Sequence, residues 1–272
     1  MIVDCHTHLN RYSPADPVTL AERHARLLAE MDANGVDRAV VLTSYAVNDD
    51  RPSAGEVLRA LDGDRRIAVV AGVCVARITE EVAELRGLLA QGQVRGLKLY
   101  PGYEPFHVHG AQLQPLYDLA AEFRVPVMIH TGDTYDPTTH VKYAHPLEVD
   151  EAAVKQRDVT FVLCHLGNPW FADAMEVIYK NPNVMGDISG LTLGEFNPRF
   201  ERFATARVND VLAYVNDPAK LMYGTDWPIS SMAGYLRFAR ALDTTDDEME
   251  GMMWRNAARI FRLDLGGADE GR

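Results

Sequence analysis

The chain has 272 residues, 47% of them hydrophobic, enough to bury one large core. A barrel of about 250 residues would use nearly all of it and leave no room for a second full domain. Its 27 Lys and Arg stand against 39 Asp and Glu, a net charge of -12, which argues against nucleic-acid or anionic-membrane surfaces built from clustered basic residues.

The first apolar run predicts a strand over Ile2–Cys5 that leads into Asp4-Cys5-His6-Thr7-His8. Strand residues two apart share a face, so His6 and His8 point together, Asp4 shares their parity at greater depth, and Cys5 turns against the helices. Asp16-Pro17 supplies an N-cap and first-turn proline for a helix with the stripe Leu20, Leu27, Leu28 and Met31 and the stop Asn34-Gly35. Strands follow at Arg38–Leu42 and Ile67–Val73, a helix at Thr79–Gly92, and a strand at Val94–Leu99 that carries Lys98. After a helix near 112–124 comes a strand at Pro126–His130, then one at Val159–Cys164 that runs directly into His165. Cys164, like Cys5, is expected against the helices, and Asn168 is expected to cap a helix ending at Asn181-Pro182. A strand at Asn183–Ile188, a helix over 198–215, a strand at Lys220–Tyr223 leading to Asp226, and helices near 230–243 and 246–263 complete the pattern. Residues 1–265 form the domain and 266–272 a flexible tail.

Strand followed by helix, repeated without a linker, predicts a single-domain (β/α)8 TIM barrel; no strand is followed by the glycine-rich phosphate turn of a nucleotide-binding open sheet. The first residues enter a strand without a basic leader, and no run approaches the roughly 18 apolar residues of a membrane span. With Cys5, Cys74 and Cys164 too few and odd in number for a disulfide framework, a cytoplasmic protein is expected. His6, His8, His130, His165 and Asp226 all fall at the carboxyl ends of predicted strands, where barrel enzymes place their sites. Imidazoles with one carboxylate suit Zn2+ and tolerate Mn2+, Fe2+ or Co2+.

DCHTH at the start, IHTGD, CHLGN, GTDWP and the late NAARIFRL resemble the amidohydrolase superfamily. The closest branch is the amidohydrolase-2 group of metal-dependent hydrolases, sugar and pyrone lactonases and non-oxidative decarboxylases of aromatic acids. The likeness runs over about residues 1–263. It implies that His6, His8, His130 and Asp226 hold one divalent ion, Zn2+ first and Mn2+ second. His165 matches a histidine that acts on the attacking water or the substrate carbonyl in mononuclear members and binds a second ion in binuclear ones. Lys98, in GLKLYP, stands on the strand that supplies a carboxylated bridging lysine in binuclear members. Its context resembles members that keep the lysine unmodified, so one ion is expected.

An ion so held lowers the pKa of a water from about 15.7 toward 7, giving a nucleophile at neutral pH. Asp226 then serves as ligand and proton shuttle while protonated His165 stabilises the oxyanion. Substrate contacts are expected from Lys98, Tyr100, His107 and Trp227. The expected reaction is hydrolysis of a lactone, ester or amide in a small molecule. Non-oxidative decarboxylation of an aromatic or unsaturated acid is the alternative, disfavoured by the short Leu9–Ala15 segment before the first helix. No nucleic-acid or membrane partner is expected. The stretch Met249, Met252, Met253 is read as core in preference to a homo-oligomer interface.

Overall fold

A computed structural model describes residues 1–264; the expected tail at 266–272 lies outside the described residues. The strands are β1 (Val3–Thr7), β2 (Arg38–Leu42), β3 (Ile67–Gly72), β4 (Gly96–Leu99), β5 (Val127–His130), β6 (Phe161–Cys164), β7 (Val184–Asp187) and β8 (Leu221–Met222). They pair in parallel and in chain order. Closure comes from backbone bonds between the first and last strand regions: Cys5 N–H to Tyr223 O at 2.9 Å, Asp226 N–H to His6 O at 2.8 Å and His8 N–H to Trp227 O at 2.7 Å. Both faces of such a sheet are covered, which is why its strands read as continuous apolar runs rather than alternating ones.

Between the strands lie α1 (Leu20–Asn34), α2 (Ala54–Leu61), α3 (Ile78–Ala90), α4 (Gln114–Phe123), α5 (Pro146–Lys155), α6 (Phe171–Lys180) and α7 (Pro198–Val215). After β8 come α8 (Met232–Arg240), α9 (Asp246–Glu250) and α10 (Asn256–Phe261). The helix expected over 246–263 is divided, with a π-helical turn at Gly251–Arg255 between α9 and α10. Met252 and Met253 there are buried core residues. No helix among the described residues is long and apolar enough to cross a membrane.

The core has two layers. Outward strand residues such as Val41, Val69, Leu97, Ile129 and Leu163 pack with the helices. Inward ones, Val3, Cys5, Val40, Leu42, Val70, Met128, Val162, Cys164, Met185 and Met222, form a separate cluster that takes in Ala257 and Phe261 of α10. This corrects the expected placement of both cysteines. The β1 register against β2 shifts between Asp4↔Ala39 and Thr7↔Val41; this irregularity breaks strict alternation, placing Cys5 inside while His6 and His8 still reach the cavity. Asp4 does not follow them. Its carboxylate accepts the N–H groups of His6 and Thr225 and the Thr225 hydroxyl.

Two expected caps also differ. Thr19, not Asp16, caps α1, in a reciprocal box with Glu22. Asp16 instead accepts the N–H groups of Tyr12 and Ser13 and pairs with Arg26 at 2.8 Å. At α6 the cap position is Trp170, with no side-chain bond, because the chain leaves β6 through a tight turn rather than entering the helix at Asn168.

A candidate metal centre at the carboxyl ends of the strands

His6 and His8 stand at the end of β1, Lys98 within β4, His130 at the end of β5, Asp187 at the end of β7, and His165 and Asp226 just beyond β6 and β8. His165 and Asp226 both have left-handed backbone, with φ of 63° and 69°. Such conformations in non-glycine residues concentrate at functional sites, where surrounding structure holds them in place. Gly190 permits the approach: a Cβ there would lie 2.3 Å from His165 Nδ1 and 2.8 Å from Asp226 Oδ2.

Hydrogen bonding decides which nitrogen of each ring is available. His8 Nδ1 lies 2.8 Å from the Leu42 carbonyl, which can only accept, so Nδ1 carries the proton and Nε2 the lone pair. That lone pair faces Asp226 Oδ1 at 3.0 Å. His6 Nδ1 lies 3.0 Å from Asp187 Oδ2 and 2.9 Å from Ser189 Oγ, while its Nε2 is 3.7 Å from the same Asp226 Oδ1. Burial pushes the His6 imidazolium down to about 4, so the ring is neutral at pH 7 and donates from Nδ1. Two lone pairs thus converge on one carboxylate oxygen, an arrangement that a cation between them resolves. His130 Nε2 donates to the Asp133 carbonyl at 3.0 Å, freeing Nδ1, and burial lowers its pKa too.

The ligand atoms of His6, His8 and Asp226 lie within 4.8 Å of one another, as do those of His6, His165 and Asp187. His130 belongs to neither triplet and joins them through ring contact with His165, centroids 5.0 Å apart. His165 donates from Nδ1 to the Ser189 carbonyl at 3.1 Å, so Nε2 keeps the lone pair; burial lowers its pKa. Asp187 and Ser189 went unmarked in the sequence, although Asp187 stands one residue before the end of the predicted strand Asn183–Ile188. Burial alone would raise the Asp187 carboxyl, but facing His6, with His165 and Lys98 behind, holds it below the usual carboxylate range.

His6, His8, His130, His165 and Asp226 line a cavity of about 690 Å³ together with Asn10, Arg11, Tyr12, Tyr45, Arg51, Lys98, Tyr100, Tyr103 and Tyr135. Lys98 is fully buried; its Nζ donates to Cys164 Sγ at 2.7 Å and sits 5.2 Å from the Tyr100 ring centroid. Tyr100 donates its hydroxyl to the Thr43 carbonyl. Arg23, buried in α1, ties two wall segments together by donating to the carbonyls of Leu9 and Asp50. Two expected contacts are not brought to this cavity. His107 is exposed and pairs with Glu148, and Trp227 is buried behind the rim under Arg26.

Fold and site together define a (β/α)8 barrel with a polar, His- and Asp-lined centre at the carboxyl ends of its strands. The chain belongs to the amidohydrolase family, whose model, described as Amidohydrolase, matches residues 3–263; the family is metal-dependent. An uncharacterized TIM-barrel protein from Bordetella bronchiseptica is 21% identical, with a TM-score of 0.78 over 96% of this chain and 98% of its own. A protein described as a 2-pyrone-4,6-dicarboxylic acid hydrolase from Pseudomonas putida is 20% identical, with a TM-score of 0.65 over 97% and 98%. A dihydroxybenzoic acid decarboxylase from Polaromonas sp. JS666, solved with bound manganese and an inhibitor, is 13% identical, with a TM-score of 0.69 over 97% and 98%. No curated protein matches the sequence. Identities this low carry the fold and leave the substrate open.

Proposed function

We propose that the protein is a hydrolase that opens a lactone, ester or amide bond in a small molecule, using one divalent ion held by His6, His8, His130 and Asp226. The convergence of the His6 and His8 lone pairs on Asp226 Oδ1 carries this reading. Zn2+ suits three imidazoles and a carboxylate, and Mn2+ is the second choice. Such an ion polarises a carbonyl and brings the acidity of water into the neutral range. Asp226 Oδ2 would accept the water's proton and pass it to the leaving oxygen or nitrogen as the acyl bond breaks, while the His165 Nε2 lone pair would accept a hydrogen bond from the attacking water and hold it in line. Lys98, whose ammonium donates to the Cys164 thiol, is left to receive an anionic group of the substrate. Its placement against Cys164 favours an unmodified lysine and a single ion.

Decarboxylation of an aromatic acid is the second reading, favoured by the tyrosine-rich cavity wall with Arg11 and Arg51 beside it. A panel of lactones, aryl esters and hydroxybenzoates turned over in isotopically labelled water separates the two. Solvent oxygen in the product is expected; carbon dioxide release without it would assign the lyase reaction instead. His130→Ala is expected to lose ion and activity together, as measured by elemental analysis and turnover, and full metal content in that variant removes His130 from the ligand set.

A further inference from the structure

The segment between β4 and α4 carries a second His-x-His pair, His107 and His109, and lays it against α5 on the outside of the barrel. His107 Nδ1 lies 2.9 Å from Glu148 Oε2, and His109 Nε2 lies 3.4 Å from that same oxygen. The other nitrogen of His109, Nδ1, is 3.4 Å from Glu151 Oε1, which Lys155 holds at 2.6 Å. His109 therefore has a carboxylate at each ring nitrogen. A neutral imidazole owns one N–H and satisfies one of them, leaving a lone pair against an anionic oxygen at the other.

We propose that His107, His109 and Glu148 bind a divalent transition-metal ion of the zinc class, with Glu151 accepting the Nδ1–H of His109. The candidate ligand atoms of the three residues lie within 4.8 Å of one another. Two imidazoles and a carboxylate match the nitrogen and oxygen donors zinc takes, with solvent free to complete the shell. A carboxylate behind a ligating histidine fixes the tautomer that aims the other nitrogen at the metal. The barrel centre shows the same device: Asp187 stands behind His6, whose free nitrogen aims at a shared carboxylate oxygen. Glu148 is only 17% exposed, so its charge is partly withdrawn from water and gains from a cation partner.

An ion here would fasten the segment to α5. That segment also delivers Tyr100 and Tyr103 to the cavity, and Tyr143 packs edge-on against His107 with centroids 5.0 Å apart. Outer-site occupancy would therefore steady one wall of the substrate cavity.

The test is Zn2+ binding by equilibrium dialysis of chelator-stripped protein, with wild type beside the His107→Ala/His109→Ala double variant and Glu148→Gln. Wild type is expected to bind one Zn2+ more per chain than the double variant, and Glu148→Gln to weaken the extra site by roughly tenfold or more. Circular dichroism checks that each variant is folded. Equal uptake by wild type and the double variant overturns the proposal. Both proteins keep the same barrel ligands, so failure of the barrel centre would lower both counts alike and read out separately.

Discussion

At the scale of single residues, the centre depends on groups that never reach the cavity. Asp187 takes the Nδ1 proton of His6 on one oxygen and the N–H groups of His165 and Ser189 on the other. Asp187→Asn would present an amide N–H to one of these donors, and a His6 ring that turns its proton to Nε2 can no longer ligate. Metal affinity is expected to fall roughly 10–100-fold with the fold intact, measured by chelator competition; an affinity unchanged from wild type would show that Asp187 does not orient His6. Glu104 makes a different case, since its carboxylate is turned inward, accepts the Val75 N–H and takes no part in the proposed chemistry. Burial raises its pKa above the ordinary 4.5. The unfolded chain therefore ionises first, so this residue's stabilisation is complete below the ordinary value and is lost as pH rises through the raised one. In Glu104→Gln that decline should vanish, flattening melting temperature against pH; a profile parallel to wild type would assign the pH dependence to other groups.

At the scale of elements, the strands were legible because each is a short β-branched or apolar run between turn signals, and a barrel buries both faces of all of them. The helices were less so. α2 spans only Ala54–Leu61, too short for a helical stripe to stand out, although its Ser53–Glu56 capping box was present to be read. α5 begins at Pro146 behind a histidine cap, a residue that rarely signals a helix start. The irregularity in β1 has no local signature, because it arises from pairing with β2, a strand distant in sequence. The cavity wall was hidden for a similar reason: Arg11, the pair Tyr45 and Arg51, and Tyr103 come from three different loops that meet only in the closed barrel. The turn at Gly190 after β7 tests how tightly two such loops fit. With φ at +62° and a Cβ position 2.3 Å from His165 Nδ1, Gly190→Ala must displace the imidazole. Turnover should drop by about 10²-fold with metal still bound, since a shift near 1 Å at a reacting group carries that penalty; wild-type kcat would mean His165 moves freely without consequence.

At the scale of the molecule, the barrel separates stability from chemistry along its axis. The polar centre occupies the carboxyl ends of the strands, while α10 inserts Ala257 and Phe261 into the inner apolar cluster beside Val3, at the start of β1. Asn256 fixes that helix by donating to the carbonyls of Pro218 and Leu221, and the Tyr223 N–H returns a bond to the Met252 carbonyl. The last described helix is thus a plug for the end of the barrel opposite the site, joining β8 to β1 where the sheet closes. Phe261 is 1% exposed and packs in the inner apolar cluster with Val3, Val40 and Met222. Phe261→Ala is expected to cost about 3–5 kcal/mol, a transfer loss plus a cavity the surrounding strands cannot collapse. Because the proposed ligands sit at the other end, KM should stay at its wild-type value below the unfolding transition while the denaturant midpoint falls. A loss below about 1 kcal/mol would mean that the barrel closes without its plug, and a changed KM would mean that the two ends of the barrel are mechanically coupled.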